Sequence, residues 1–109
     1  MSLFSEYKLE LENKPVIETE HGFACYGIHG TDCYIEDIYV KPEFRKTHEA
    51  SHLANMVLED ARLKGCKRLF GSVVPSRHGA TISMKVQLAY GFRVFSASEN
   101  FILLVKDIV

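Results

Sequence analysis

No excess of either charge marks this chain. Thirteen Lys and Arg against fourteen Asp and Glu leave a net charge of −1, so no overall basic field exists to hold nucleic acid or an anionic membrane, and any electropositive site must be local. No apolar run approaches the roughly 20 residues of a membrane span, and the opening MSLFSEYK lacks the basic-then-apolar layout of a secretory leader. No C-x-x-C occurs. The cysteines, Cys25, Cys33 and Cys66, are odd in number, which argues for reduced, buried thiols rather than a disulfide frame. No repeat, low-complexity tract or linker interrupts the sequence. These absences leave a cytoplasmic protein with no nucleic-acid or membrane partner.

What is present is 109 residues, 47% hydrophobic and 25% charged, enough for one domain over residues 1–109 with a single core. Tyr7, Leu9 and Leu11 alternate with Lys8, Glu10 and Glu12, the period of a half-buried strand, though Leu3 and Phe4 leave room for a short helix before it. Asn13-Lys14-Pro15 breaks it. Val16 to Thr19, Phe23 to Ile28 and Cys33 to Val40 follow as strands with short links, an antiparallel meander. Leu53, Ala54, Val57, Leu58 and Ala61 recur at helical spacing, with Gly65 as the stop. Arg68 to Val74 is a strand reached by a helical crossover, hence parallel to Ile35 to Val40. A second helix opens at Ser76 to His78, with Ile82, Val86 and Ala89 among its apolar positions, and ends at Gly91. Phe92 to Phe95 and Phe101 to Val105 form a closing hairpin around Ser98-Glu99-Asn100. The fold class is therefore α+β, a mixed, largely antiparallel sheet with two main helices.

The chain is organised around Tyr34 to Val57, where a strand stops at Pro42, a basic loop follows and a helix opens. Such a junction turns the unpaired N–H groups of the helix's first turn, and the positive end of its dipole, toward whatever lies beyond the strand. Anions bind there at little cost, and Arg45 and Lys46 supply cations beside it.

Glu36-Asp37-Ile38-Tyr39-Val40-x-Pro42-x-x-Arg45, followed by a helix, a strand ending in Val74-Pro75 and a second helix running into Tyr90-Gly91-Phe92, resembles the GNAT superfamily of acyl-CoA N-acetyltransferases. The resemblance covers roughly Val16 to Ile108. It implies acetyl-CoA as co-substrate and a small-molecule or peptide amine as acceptor. It implies that the strand at Ile38, Tyr39 and Val40 pairs with the pantetheine arm, and that the loop Arg45-Lys46-Thr47-His48-Glu49-Ala50 wraps the pyrophosphate. Glu36 falls where members keep a carboxylate that draws a proton from the acceptor amine, and Asp37 where polyamine-acting members keep an anion near a cationic substrate.

Departures from the pattern are equally specific. The family glycine of the loop is His48, Glu49 adds a negative charge beside it, and the tyrosine that protonates the departing thiolate in many members is Gln87. Its usual companion asparagine is Ala80, and Tyr90 lies on another face of a regular helix. The family's first strand and two helices have only Met1 to Lys14 to represent them, so the N-terminal helical region is truncated. A homodimer could complete the missing acceptor wall. These substitutions keep open a second reading, a GNAT-fold binding or structural protein without catalysis. A third rests on His48-Glu49-Ala50-Ser51-His52, which spells the H-E-x-x-H of zinc metallopeptidases. No third ligand stands at the usual spacing, since that position is Leu58, so no metal is expected.

Overall fold

A computed structural model describes residues 2–108. The first departure from expectation is at the start, where Leu3–Glu12 is a helix, α1, and not a strand. The Ser2 side chain accepts a hydrogen bond from the Ser5 N–H at 3.1 Å, satisfying one of the helix's orphan donors. Asn13 then closes α1 in the left-handed conformation, φ 54°, with its N–H on the Leu9 carbonyl. Lys8 and Glu12, one turn apart, form an ion pair at 2.7 Å. The alternation of Leu and Glu misled because α1 buries only Ser5, whose hydroxyl donates to Glu18; Leu3 and Leu11 stay in solvent. Phe4, packed on Phe23 at 5.2 Å, ties the helix to the sheet.

Six strands make that sheet: β1 Val16–Glu18, β2 Gly22–His29, β3 Asp32–Val40, β4 Arg68–Val73, β5 Arg93–Ser98 and β6 Phe101–Asp107. Their order is β1-β2-β3-β4-β6-β5, and among the described residues β3 with β4 is the one parallel pair, as a helical crossover requires. That crossover is α2, Glu49–Leu63, reached through a short 3-10 turn at Pro42–Phe44. Its buried stripe is Leu53, Ala54, Val57 and Ala61, as the spacing predicts, against Ala24, Cys33, Leu69 and Leu104 of the sheet. The Tyr26 hydroxyl donates to Asp60 at 2.6 Å and fixes the rotation of α2 on β2. Each fully buried Leu of this core contributes about 1.5–3 kcal/mol.

The second main helix, α3, runs Ala80–Tyr90 and ends at Gly91, φ 112°. Its start lies later than expected because Ser76–Gly79 forms a separate turn, held by Asn100, whose side chain accepts from the Ser76 N–H and donates to its hydroxyl. No residue of α3 is fully buried, and Ile82 is 69% exposed. Its expected apolar face is not a core face. The hairpin forms as predicted, with β6 supplying buried Leu104 and Val105 while every residue of the outer strand β5 is exposed.

Candidate active site

β3 and β4 are paired only at their beginnings, Asp32 with Arg68, Cys33 with Leu69 and Tyr34 with Phe70. Beyond that they separate. The cause lies in the register of β3 on β2, where Ile35 opposes Tyr26 and Asp37 opposes Cys25, leaving Glu36 as the extra residue of a bulge. A bulge bends its strand and sharpens its twist. It also ends simple alternation, so Glu36, Asp37, Ile38 and Tyr39 are all exposed.

The separation opens a cleft of about 640 Å³. Residues 35–40 of β3 form one wall, and Gly71 and Ser72 of β4 face them. Ala50, Ser51 and Ala54 of α2 close one end, and Ile82, Val86 and Tyr90 of α3 another. This explains the exposed apolar face of α3. It lines a cavity instead of the core.

Gly71 leaves room for Gln87, whose side-chain oxygen a Cβ at position 71 would displace. Gln87 lies across the β4 end of the cleft, its Nε2 donating to the Ser72 carbonyl at 3.1 Å and to the Ser83 hydroxyl at 3.2 Å. Among the described residues its Oε1 is buried without a partner. Tyr90, three residues on, shares the cleft-facing side with Gln87, contrary to the expectation that it faces elsewhere. Its hydroxyl donates to Asn55 Oδ1 at 2.6 Å, and burial pushes the phenol pKa up.

At the other end is the start of α2. Among the described residues the N–H groups of Glu49, Ala50 and Ser51 find no internal acceptor, and the first helical bond runs from the His52 N–H to the His48 carbonyl. His48 caps the helix with φ 66°, the left-handed conformation a glycine adopts most freely, and gives no side-chain cap. The preceding turn is pinned by His21, stacked on Phe44 at 3.6 Å. Arg45 folds back over β3, donating from Nε to the Val40 carbonyl at 2.9 Å with its guanidinium over the Tyr39 ring.

Of the residues expected to hold a cofactor, Ile38, Tyr39, Val40, Arg45 and Ala50 line the cleft. Lys46, Thr47, His48 and Glu49 lie outside its lining; the Thr47 hydroxyl donates to the Phe44 carbonyl at 2.6 Å. His48 precedes the first turn of α2, so the two histidines of H-E-x-x-H do not both sit on the helix, and both are exposed. Among the described residues no three His, Cys, Asp or Glu side chains gather as a metal site would require.

Glu36 and Asp37 both line the cleft. Glu36 is engaged, its Oε1 lying 2.7 Å from Lys14 Nζ, and Lys14 reaches Glu12 at 3.6 Å. The hydrogen bond to Glu36 pushes the Lys14 pKa above its ordinary value. No motif in the sequence marks Lys14 as a site residue. It sits in a helix-breaking Asn-Lys-Pro run, and only the fold brings it to Glu36.

Comparison with known proteins agrees with this architecture. The model of the acetyltransferase (GNAT) family matches residues 10–84, and the chain belongs to that family. Its fold is shared by a GNAT-family protein from Desulfovibrio desulfuricans, with a TM-score of 0.78 at 20% identity over 95% of this chain and 76% of that one. The PaiA N-acetyltransferase from Thermoplasma acidophilum, solved with coenzyme A, gives 0.78 at 15% identity over 96% and 68%. An aminoglycoside 6'-N-acetyltransferase complexed with coenzyme A gives 0.79 at 13% over 94% and 77%. Comparison with curated proteins gives no match. No helix among the described residues is long and apolar enough to cross a membrane.

Proposed function

We propose that this protein is an N-acetyltransferase that moves an acetyl group from acetyl-CoA to the amine of a small molecule or peptide. The observation that carries the reading is the parting of β3 from β4 beside the unsatisfied N–H groups of α2. The residues present fit such a co-substrate. Backbone at Ile38 to Val40 is unpaired on the β4 side and offers strand-like hydrogen bonds to the amides of a pantetheine arm, the Val40 carbonyl being already engaged by Arg45. The start of α2 and Arg45 offer N–H groups, dipole and charge to a pyrophosphate. Lys46 and Thr47, with His48 and Glu49, flank that end as the residues nearest in sequence.

The co-substrate supplies an acyl group already activated as a thioester. Glu36 takes the proton from the acceptor amine, since only the neutral nitrogen can attack. Asp37 draws a cationic acceptor toward the cleft. Gln87 has no proton to give at neutral pH, so solvent supplies the one the departing sulfur takes. The three buried thiols suit a reducing compartment such as the cytoplasm.

Gln87 favours a second reading, a family member that binds acyl-CoA without turning it over. Thermal unfolding with and without acetyl-CoA, followed by thiol release in the presence of a panel of amines, separates the two. At a hundredfold excess over Kd, binding raises stability by about 2.7 kcal/mol. A shift with thiol release supports the transferase, and a shift alone supports the binding protein. No shift at millimolar acetyl-CoA rejects both.

A further inference from the structure

A general base must lie within hydrogen-bond reach of the proton it removes, about 2.6–3.2 Å between heavy atoms. One amine of this chain lies at that distance from Glu36, at the margin of the cleft, Lys14 itself not being among the lining residues. Lys14 Nζ is 2.7 Å from Glu36 Oε1, at the bulge where β3 bends away from β4, while Glu12 holds it only at 3.6 Å. The backbone beneath it is fixed, because Asn13 closes α1 and the Lys14 N–H bonds to the Lys8 carbonyl at 3.2 Å. Lys8 and Lys64 pair instead with Glu12 and Asp60, neither of which lines the cleft.

We propose that Lys14 is a site of self-acylation, its amine standing in the acceptor position beside Glu36 and taking an acyl group from a coenzyme A thioester in the cleft of the same molecule. The inference rests on the acyltransferase reading above. Glu36 Oε1 removes a proton from the Lys14 ammonium, and the freed lone pair on Nζ attacks the thioester carbonyl carbon. The amide C–N bond forms as Nζ releases its second proton to solvent, the C–S bond breaks, and its electron pair leaves with sulfur, which takes a proton from solvent. Glu36 returns its own proton to solvent. The acylated lysine is uncharged, so Glu36 loses its counter-ion while Glu12 keeps Lys8 at 2.7 Å. An external amine then meets Glu36 unpaired.

The test is incubation with acetyl-CoA at several protein concentrations, read by intact mass and peptide mapping, with thermal unfolding measured in parallel. Wild type, Lys14→Arg, Glu36→Gln and heat-unfolded protein are compared. The expected result is one acetyl group per chain, on Lys14, at a rate constant independent of protein concentration. It is about tenfold or more above the rate at exposed Lys46 or in the unfolded chain, as a positioned amine requires. Lys14→Arg abolishes the label, and Glu36→Gln slows it by at least about tenfold. A label spread evenly over the lysines, a rate constant that rises with protein concentration, or a rate indifferent to Glu36→Gln overturns the proposal. A thermal shift without label at Lys14 overturns it alone; no shift and no label overturns the transferase reading with it.

Discussion

The two halves of the β3 and β4 pair obey opposite rules although they belong to the same two strands. In the closed half Cys33 and Leu69 are fully buried, Tyr34 stacks on Phe70 at 4.8 Å, and Arg68 grips Asp32 through two bonds at 3.0 and 3.1 Å. In the open half Glu36 to Tyr39 are exposed and face a cavity. Strand backbone left unpaired must find water or a ligand, so the open half spends stability that the closed half supplies. Fold and site are thus separable along one strand, and substitutions on either side of the bulge should report different quantities.

The largest effect is expected from Leu69→Ala in the closed half. Leu69 is fully buried, and removing it costs about 2–5 kcal/mol of stability. Urea unfolding measures this. A loss below about 1 kcal/mol would mean that the site collapses around the deletion and that the closed half is not the anchor argued here. Glu36→Gln is the counterpart in the open half. It keeps the shape, lowers turnover by roughly a hundredfold or more and leaves the unfolding midpoint and acetyl-CoA affinity nearly unchanged. An unaltered rate would remove Glu36 as the base.

The boundary between the halves was not legible in the sequence, and the reason is physical. Pro42, Gly91 and the spacing from Leu53 to Ala61 act locally, so the ends and faces they set were readable. The bulge at Glu36 exists only in the pairing of β3 with β2, and no feature of β3 alone announces it. α3 shows the same limit in another form. Its apolar positions at Ile82 and Val86 follow the helical period, but periodicity cannot tell a face that meets a core from one that lines a cleft. α1 failed for lack of burial to enforce a helical period, although Ser2 and Asn13 were capping signals at its two ends. Lys14 and Glu36 are far apart in sequence, and their contact is a product of topology.

Tyr26 stands at the boundary itself, opposite Ile35 in the last regular pairing before the bulge. Tyr26→Phe removes the hydrogen bond to Asp60, with an expected cost of about 1.5 kcal/mol. Burial pushes the Asp60 carboxyl up, but the bonds from Tyr26 and Lys64 outweigh it and hold its pKa below the ordinary carboxylate value. A depressed carboxyl contributes stability above its unfolded pKa and loses it as pH falls through the folded one. The wild type should therefore lose more stability than Tyr26→Phe on acidification through the carboxylate range. Parallel curves would show that this bond does not set the titration of Asp60.

The smallest and most discriminating change is His48→Gly. In the left-handed region a residue with a Cβ pays a steric cost that glycine avoids, while glycine loses more backbone entropy on folding, about 0.4–1 kcal/mol. The two nearly cancel, so the expected gain in stability is only ~0.5 kcal/mol. Binding is the sharper readout. His48 caps α2 without a side-chain bond, so its imidazole satisfies none of the free N–H groups there and is expected to crowd an anion approaching them. Removing it should tighten coenzyme A severalfold by calorimetry, ~1 kcal/mol. Weaker binding would make the imidazole itself a ligand of the phosphates. The family's glycine would then have been replaced in this chain by a side chain that takes over its task, and the anion site would extend beyond the cleft to the outer side of the loop.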